Sequence, residues 1–81
     1  QDVPRDVLAA RAREAVALAD RRLADRADDV EALLLRARAR AMLDDLPGAA
    51  QDAALGLTLA PGRLDGYMIR AIVRRQERDP R

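Results

Sequence analysis

Few side chains in this chain are equipped for chemistry. Thr58 and Tyr67 are its only neutral hydroxyls, and it contains no Ser, Cys, His or Lys. A hydroxyl nucleophile needs a neighbouring base to take its proton, and the commonest base, histidine, is missing. Carboxylates are plentiful, at fourteen Asp and Glu, and two adjacent pairs stand out, Asp28/Asp29 and Asp44/Asp45. Both pairs fall in breaks between apolar-periodic segments. There an Asp side chain accepts an N–H from the first turn of the following helix, so capping explains them better than acid–base catalysis does. Gly48, Gly56, Gly62 and Gly66 form neither a G-x-G-x-x-G nor a Walker pattern. Without thiolates or imidazoles there is no zinc-type site either. The expectation is a non-enzyme with no cofactor and no metal.

What the chain offers instead is arginine. All fifteen basic residues are Arg, and they leave a net charge of +1 over 81 residues. That near-neutral balance argues against a nucleic-acid partner, which calls for a clearly basic face. Segment 63–81 is locally richer, with Arg63, Arg70, Arg74, Arg75, Arg78 and Arg81 against Asp65, Glu77 and Asp79. A solvated helix face accounts for this modest excess. The longest uncharged run, 53–62, is too short to span a bilayer. No signal-peptide pattern is visible, and the compartment stays open between cytoplasm and periplasm. Starting at Gln1, the chain reads as a processed form or an expressed fragment.

These side chains need a scaffold, and the length allows one domain. Ala, Leu and Arg dominate and β-branched residues are few, so helices are expected almost throughout. Pro4 suits the first turn of a helix over 4–26, whose apolar residues Leu8, Ala12, Ala15, Val16, Ala19 and Leu23 recur at three and four. Asp28 or Asp29 caps a second helix ending near Leu43. The turn Asp44-Asp45-Leu46-Pro47-Gly48 opens a third, and Pro61-Gly62 stops it. A fourth helix covers 64–78. Short loops make neighbouring helices antiparallel. The fold class is therefore all-α, with about four helices in a single domain over 1–81.

A shift of 34 residues brings the chain onto itself without a gap. Arg36 falls on Arg70, Ala37 on Ala71 and Arg40 on Arg74. Ala15 falls on Ala49, Ala19 on Ala53 and Leu23 on Leu57, and similar residues pair from Val30/Leu64 to Leu35/Ile69. This helix–turn–helix period resembles the tetratricopeptide repeat. Segment 30–61, VEALLLRARARAMLDDLPGAAQDAALGLTLAP, carries the likeness as one full repeat. Before it stands one long helix, and 64–78 is the first helix of the next repeat. The family's small residues, where the two helices of a repeat touch, match Ala37 and Ala49, with Ala71 in the next repeat. Its closing proline matches Pro61. Leu33 replaces the family's aromatic, and Arg40 and Arg74 stand where Leu or Tyr is usual.

The resemblance implies a short right-handed solenoid of antiparallel helix pairs and a protein–protein interaction module, as in bacterial members of the family. It places Arg36 and Asp52 as an ion pair within the repeat. Arg70, the equivalent of Arg36, has no such acid in the sequence, a hint of truncation or of a partner that supplies one. The concave face would receive Leu34, Arg38 and Met42 from helix two and Met68, Ile72 and Arg75 from helix four. These residues would bind a peptide or partner helix, the apolar ones seating an anchor and the arginines holding a carboxylate or carbonyl. The chaperone-binding subset of the family uses Lys and Asn where Leu34 and Arg38 stand, which disfavours that partner class. A second expectation is self-association as a homodimer through an uncovered fourth helix, with Ile69 or Val73 bare. A third is a closed four-helix bundle in which helix one packs on helix four.

Overall fold

The computed structural model describes residues 3–79. Four α-helices account for most of it: α1 (Arg5–Asp25), α2 (Val30–Met42), α3 (Leu46–Leu59) and α4 (Leu64–Arg78). No strand forms among the described residues. The boundaries follow local chemistry. Asp29 caps α2 by accepting the Ala32 N–H at 3.1 Å, and Asp45 caps α3 by accepting the Gly48 N–H at 3.1 Å. Pro4 sits just outside α1, where its carbonyl accepts from Val7 and Leu8. Pro61 follows the C-cap Ala60 of α3, and a proline there cannot continue the helix.

The α2–α3 turn is closed by an Asp in left-handed backbone. Asp44 has φ 65°, and the N–H groups of Asp45 and Asp44 return to the carbonyls of Arg40 and Ala41 at 2.8 and 3.1 Å. This double bond pattern satisfies two of the orphaned carbonyls at the end of α2. Glycine usually occupies that position because it lacks the Cβ that opposes positive φ.

The order of packing is sequential. α1 packs on α2, α2 on α3, α3 on α4, and α2 also lies beside α4. α1 touches neither α3 nor α4 through the backbone, so the closed-bundle expectation is corrected. Each helix meets near neighbours alone, the pattern of stacked helical repeats.

Small residues set the spacing. Ala37, Ala49 and Ala53 are fully buried in one cluster with Leu34, Ala41, Ile69 and Val73, and Val30, Leu46 and Ala50 pack against it. Alanines let the helix axes approach, and the leucines fill the remaining gaps. Two glycines take this further. A Cβ on Gly56 of α3 would stand 2.9 Å from the Leu34 methyl, and one on Gly66 of α4 would stand 2.6 Å from a Leu57 methyl.

One expectation is reversed by this core. Ile69 and Val73, expected bare, are 2% and 3% exposed. Ala71, the small residue of the next repeat, of which only the first helix is present, is exposed. The reason is the direction of α4: it turns the Ile69/Val73 face inward to α2 and α3, leaving the Ala71 face uncovered.

Candidate functional site

An arginine-centred network ties three helices together. Arg36 of α2 grips Asp52 of α3 with two parallel bonds, Nε to Oδ2 at 2.8 Å and Nη2 to Oδ1 at 2.9 Å. Its remaining nitrogen, Nη1, donates to Asp20 of α1 at 2.8 Å. Arg40, one turn further along α2, donates from Nη1 to the same Asp52 at 2.9 Å. The Asp52 side chain is 6% exposed, so its charge is accommodated only because two guanidiniums meet it. The bonds to Asp52 first, and to Asp20 second, raise the pKa of Arg36 further above its ordinary value. The expected Arg36–Asp52 pair is thus present, within a larger set. The parts of Asp20 and Arg40 were not foreseen. Arg40 was legible as a residue four after Arg36, on the same helix face.

A second cluster joins the starts of α2 and α4. Arg63 donates to Asp65 at 3.1 and 2.7 Å and pairs with Glu31 at 2.8 Å. Hydrogen bonding to Arg63 holds the Asp65 carboxyl below its ordinary value. Asp29 is likewise lowered, first by the Ala32 N–H it accepts and also by Arg22. Glu31 and Asp65 are therefore engaged at one end of the α2/α4 face.

The six expected binding residues do not share one site. Leu34 is corrected: it is 3% exposed, packed between Gly56 and the core, and is not open to a ligand. Arg38 and Arg75 are exposed. Met68 and Ile72 are 61% and 42% exposed on α4, and Leu64, unremarked in the sequence, adds a third apolar side chain at 77%. Leu64, Met68 and Ile72 are spaced by four, so they form one stripe along α4. Ile72 and Arg75 line a shallow groove with Gln76 and Asp79. Met42 faces elsewhere, lining a groove with Leu8 and Arg13 of α1.

The repeat explains why Leu34 and Met68 differ. The shift that aligns α2 with α4 places Met68 on Leu34 and Arg75 on Ala41. Leu34 and Ala41 belong to the core cluster that includes Ile69 and Val73 of α4, whereas the same face of α4 is open.

Among the described residues no cluster of three or more His, Cys, Asp or Glu is placed to hold a metal ion. Among them, too, no helix is long and apolar enough to cross a membrane. No family model, curated protein or solved structure matches the chain.

Proposed function

We propose that this chain is a non-enzymatic protein–protein interaction module of tetratricopeptide-like architecture, binding a peptide or partner helix across α2 and α4. The observation that carries the reading is the open stripe of Leu64, Met68 and Ile72 on α4, with Arg75 beside Ile72. Three large apolar side chains in line on one helix cost solvation unless a partner covers them. An arginine beside them suits a carboxylate or backbone carbonyl of that partner. The sequential packing of the helices and the 34-residue period support the repeat architecture.

The test is selection from a displayed random-peptide library. The expected result is a family of peptides with apolar anchors that bind the wild type and are lost on Met68→Asp and Ile72→Asp. Enriched peptides indifferent to both substitutions, or no enrichment, would refute the proposal.

Self-association through α4 is the second reading, favoured by the same stripe. Because Ile69 and Val73 are buried, Leu64, Met68 and Ile72 would have to carry it. Light scattering over a dilution series decides: a dimer that dissociates on dilution and is lost in Met68→Asp supports assembly, and a monomer throughout removes it.

A further inference from the structure

The two repeat-related helices, α2 and α4, can be compared face by face. The face turned to the preceding helices is the same in both: Ala32, Leu35 and Ala39 on α2 correspond to Gly66, Ile69 and Val73 on α4, all buried or half-buried. The adjoining face is not. On α2, Leu33 and Ala37 are 1% and 0% exposed under α3, and Arg36 and Arg40 converge on Asp52. Their counterparts on α4 are Tyr67, Ala71, Arg70 and Arg74. Tyr67 is 49% exposed, and Ala71 and Arg74 are exposed too. Among the described residues, neither Arg70 nor Arg74 pairs with an acid. A cleft of ≈ 480 Å³ runs beside them between α3 and α4, lined by Ala50, Ala54, Leu57 and Val73 as well as by the two arginines and Glu77.

The acids that serve Arg36 show what Arg70 lacks. Asp20 of α1 falls on Ala54 under the repeat shift, so α3 gives Arg70 no carboxylate. The counterpart of Asp52 would have to come from whatever helix packs against α4. We infer that the Tyr67/Arg70/Ala71/Arg74 face takes an α-helix of a partner polypeptide that carries an aspartate among small residues. The pattern is that of α3 itself, Ala49-x-x-Asp52-Ala53-x-x-Gly56. Its aspartate is received by Arg70 and Arg74 as Asp52 is by Arg36 and Arg40.

A second folded copy of this chain does not fit the role, because its own Asp52 is buried and already held by Arg36 and Arg40. Its α1 aligns with α3 and offers Ala15 and Ala19 at the small positions. It has Leu18 in place of Asp52 and Arg22 in place of Gly56. Leu18 would leave both guanidiniums without an acid, and Arg22 would bring a third cation to them. This surface also differs from the Leu64/Met68/Ile72 stripe, so the two can be tested separately.

The probe is a terminally blocked synthetic peptide with the sequence of residues 45–60, titrated into the full chain by fluorescence anisotropy. Saturable binding is expected. Arg70→Ala in the protein, or Asp52→Ala in the peptide, should each weaken it about tenfold or more, the scale of a lost charge-assisted hydrogen bond. Arg74→Ala, at an exposed position, should weaken it in the same direction and guards against misfolding of the first variant. Met68→Asp should leave it unchanged. Several results would overturn the inference: no saturation at millimolar peptide; binding insensitive to Arg70→Ala; or binding lost on Arg36→Ala but not on Arg70→Ala, which would mean that the peptide displaces the chain's own α3. Concentration-dependent dimerisation abolished by Arg70→Ala would also overturn it, by making a second copy the occupant.

Discussion

Replacing Asp52 by Ala should destabilise the chain far more than a surface substitution does. Asp52 accepts three bonds, from Arg36 at 2.8 and 2.9 Å and from Arg40 at 2.9 Å. Breaking a fully buried pair costs about 3–5 kcal/mol. Here the Arg36 and Arg40 side chains keep 21% and 26% of their surface in water. Arg36 also keeps Asp20, so part of the loss is recovered. Alanine's better helix propensity returns about another 0.5 kcal/mol. The net cost should be roughly 2–3 kcal/mol, a large share of the total of about 5 kcal/mol reasonable for so short a chain. At about 4–8 °C per kcal/mol for a domain of this size, the midpoint should fall by roughly 10–20 °C. Asp20→Ala, at a 53% exposed side chain, should cost less than about 1 kcal/mol. The assay is thermal and urea unfolding followed by circular dichroism, closed as a double-mutant cycle with Arg36→Ala. Equal effects for Asp52→Ala and Asp20→Ala, or zero coupling with Arg36, would refute the claim that a buried carboxylate fastens α3 to α2.

Asp44→Gly should stabilise the chain by about 0.5–1 kcal/mol, because glycine carries no steric penalty at φ 65°; an unchanged or lower urea midpoint would contradict this. Ile69→Ala should cost about 2–4 kcal/mol at a 2% exposed site, while Ile72→Ala, 42% exposed, should cost under about 1 kcal/mol; comparable losses would mean that the register of α4 is wrong. Acid should weaken the fold through Asp29 and Asp65. Both carboxyls are lowered from 3.8 in the folded state, so their contribution is present above that value and lost as pH falls through the folded values. With no histidine to titrate, the melting temperature should decline mainly below about pH 4, and Asp29→Asn should reduce that decline.

The sequence makes the helices legible for identifiable reasons. Asp29, Asp45, Pro4 and Pro61 sit at chain positions where capping or ring geometry leaves little choice, and the starts of α1, α2 and α3 and the end of α3 lie beside them. The Arg36–Asp52 pair came from the resemblance. Its extension to Asp20 and Arg40 depends on how α1 leans on α2, and no local pattern encodes that angle. The faces of α4 were harder to read. Leu34 and Met68, or Ala37 and Ala71, are equivalent in the repeat, so a sequence period predicts the same exposure for both members of each pair. Packing broke that equivalence: α3 and α4 cover α2, whereas the corresponding faces of α4 are open.

That asymmetry bears on how a chain poor in chemistry can still be specific. Apolar contact alone discriminates weakly between partner helices, since one methylene more or less is worth only about 1 kcal/mol. A guanidinium that must meet a carboxylate discriminates more sharply, because a wrong partner leaves a desolvated charge without its bond. The Arg36–Asp52–Arg40 junction applies this rule inside the fold, fixing which helix may lie against Ala37 and in what register. Arg70 and Arg74 repeat the cationic half of the junction on the open face of α4. A partner helix with leucine at the critical position would bury the arginines without an acid, and one offset by a single residue would turn its aspartate about 100° away from them. On that inference, two arginines spaced by one turn would select both the partner's sequence and its register.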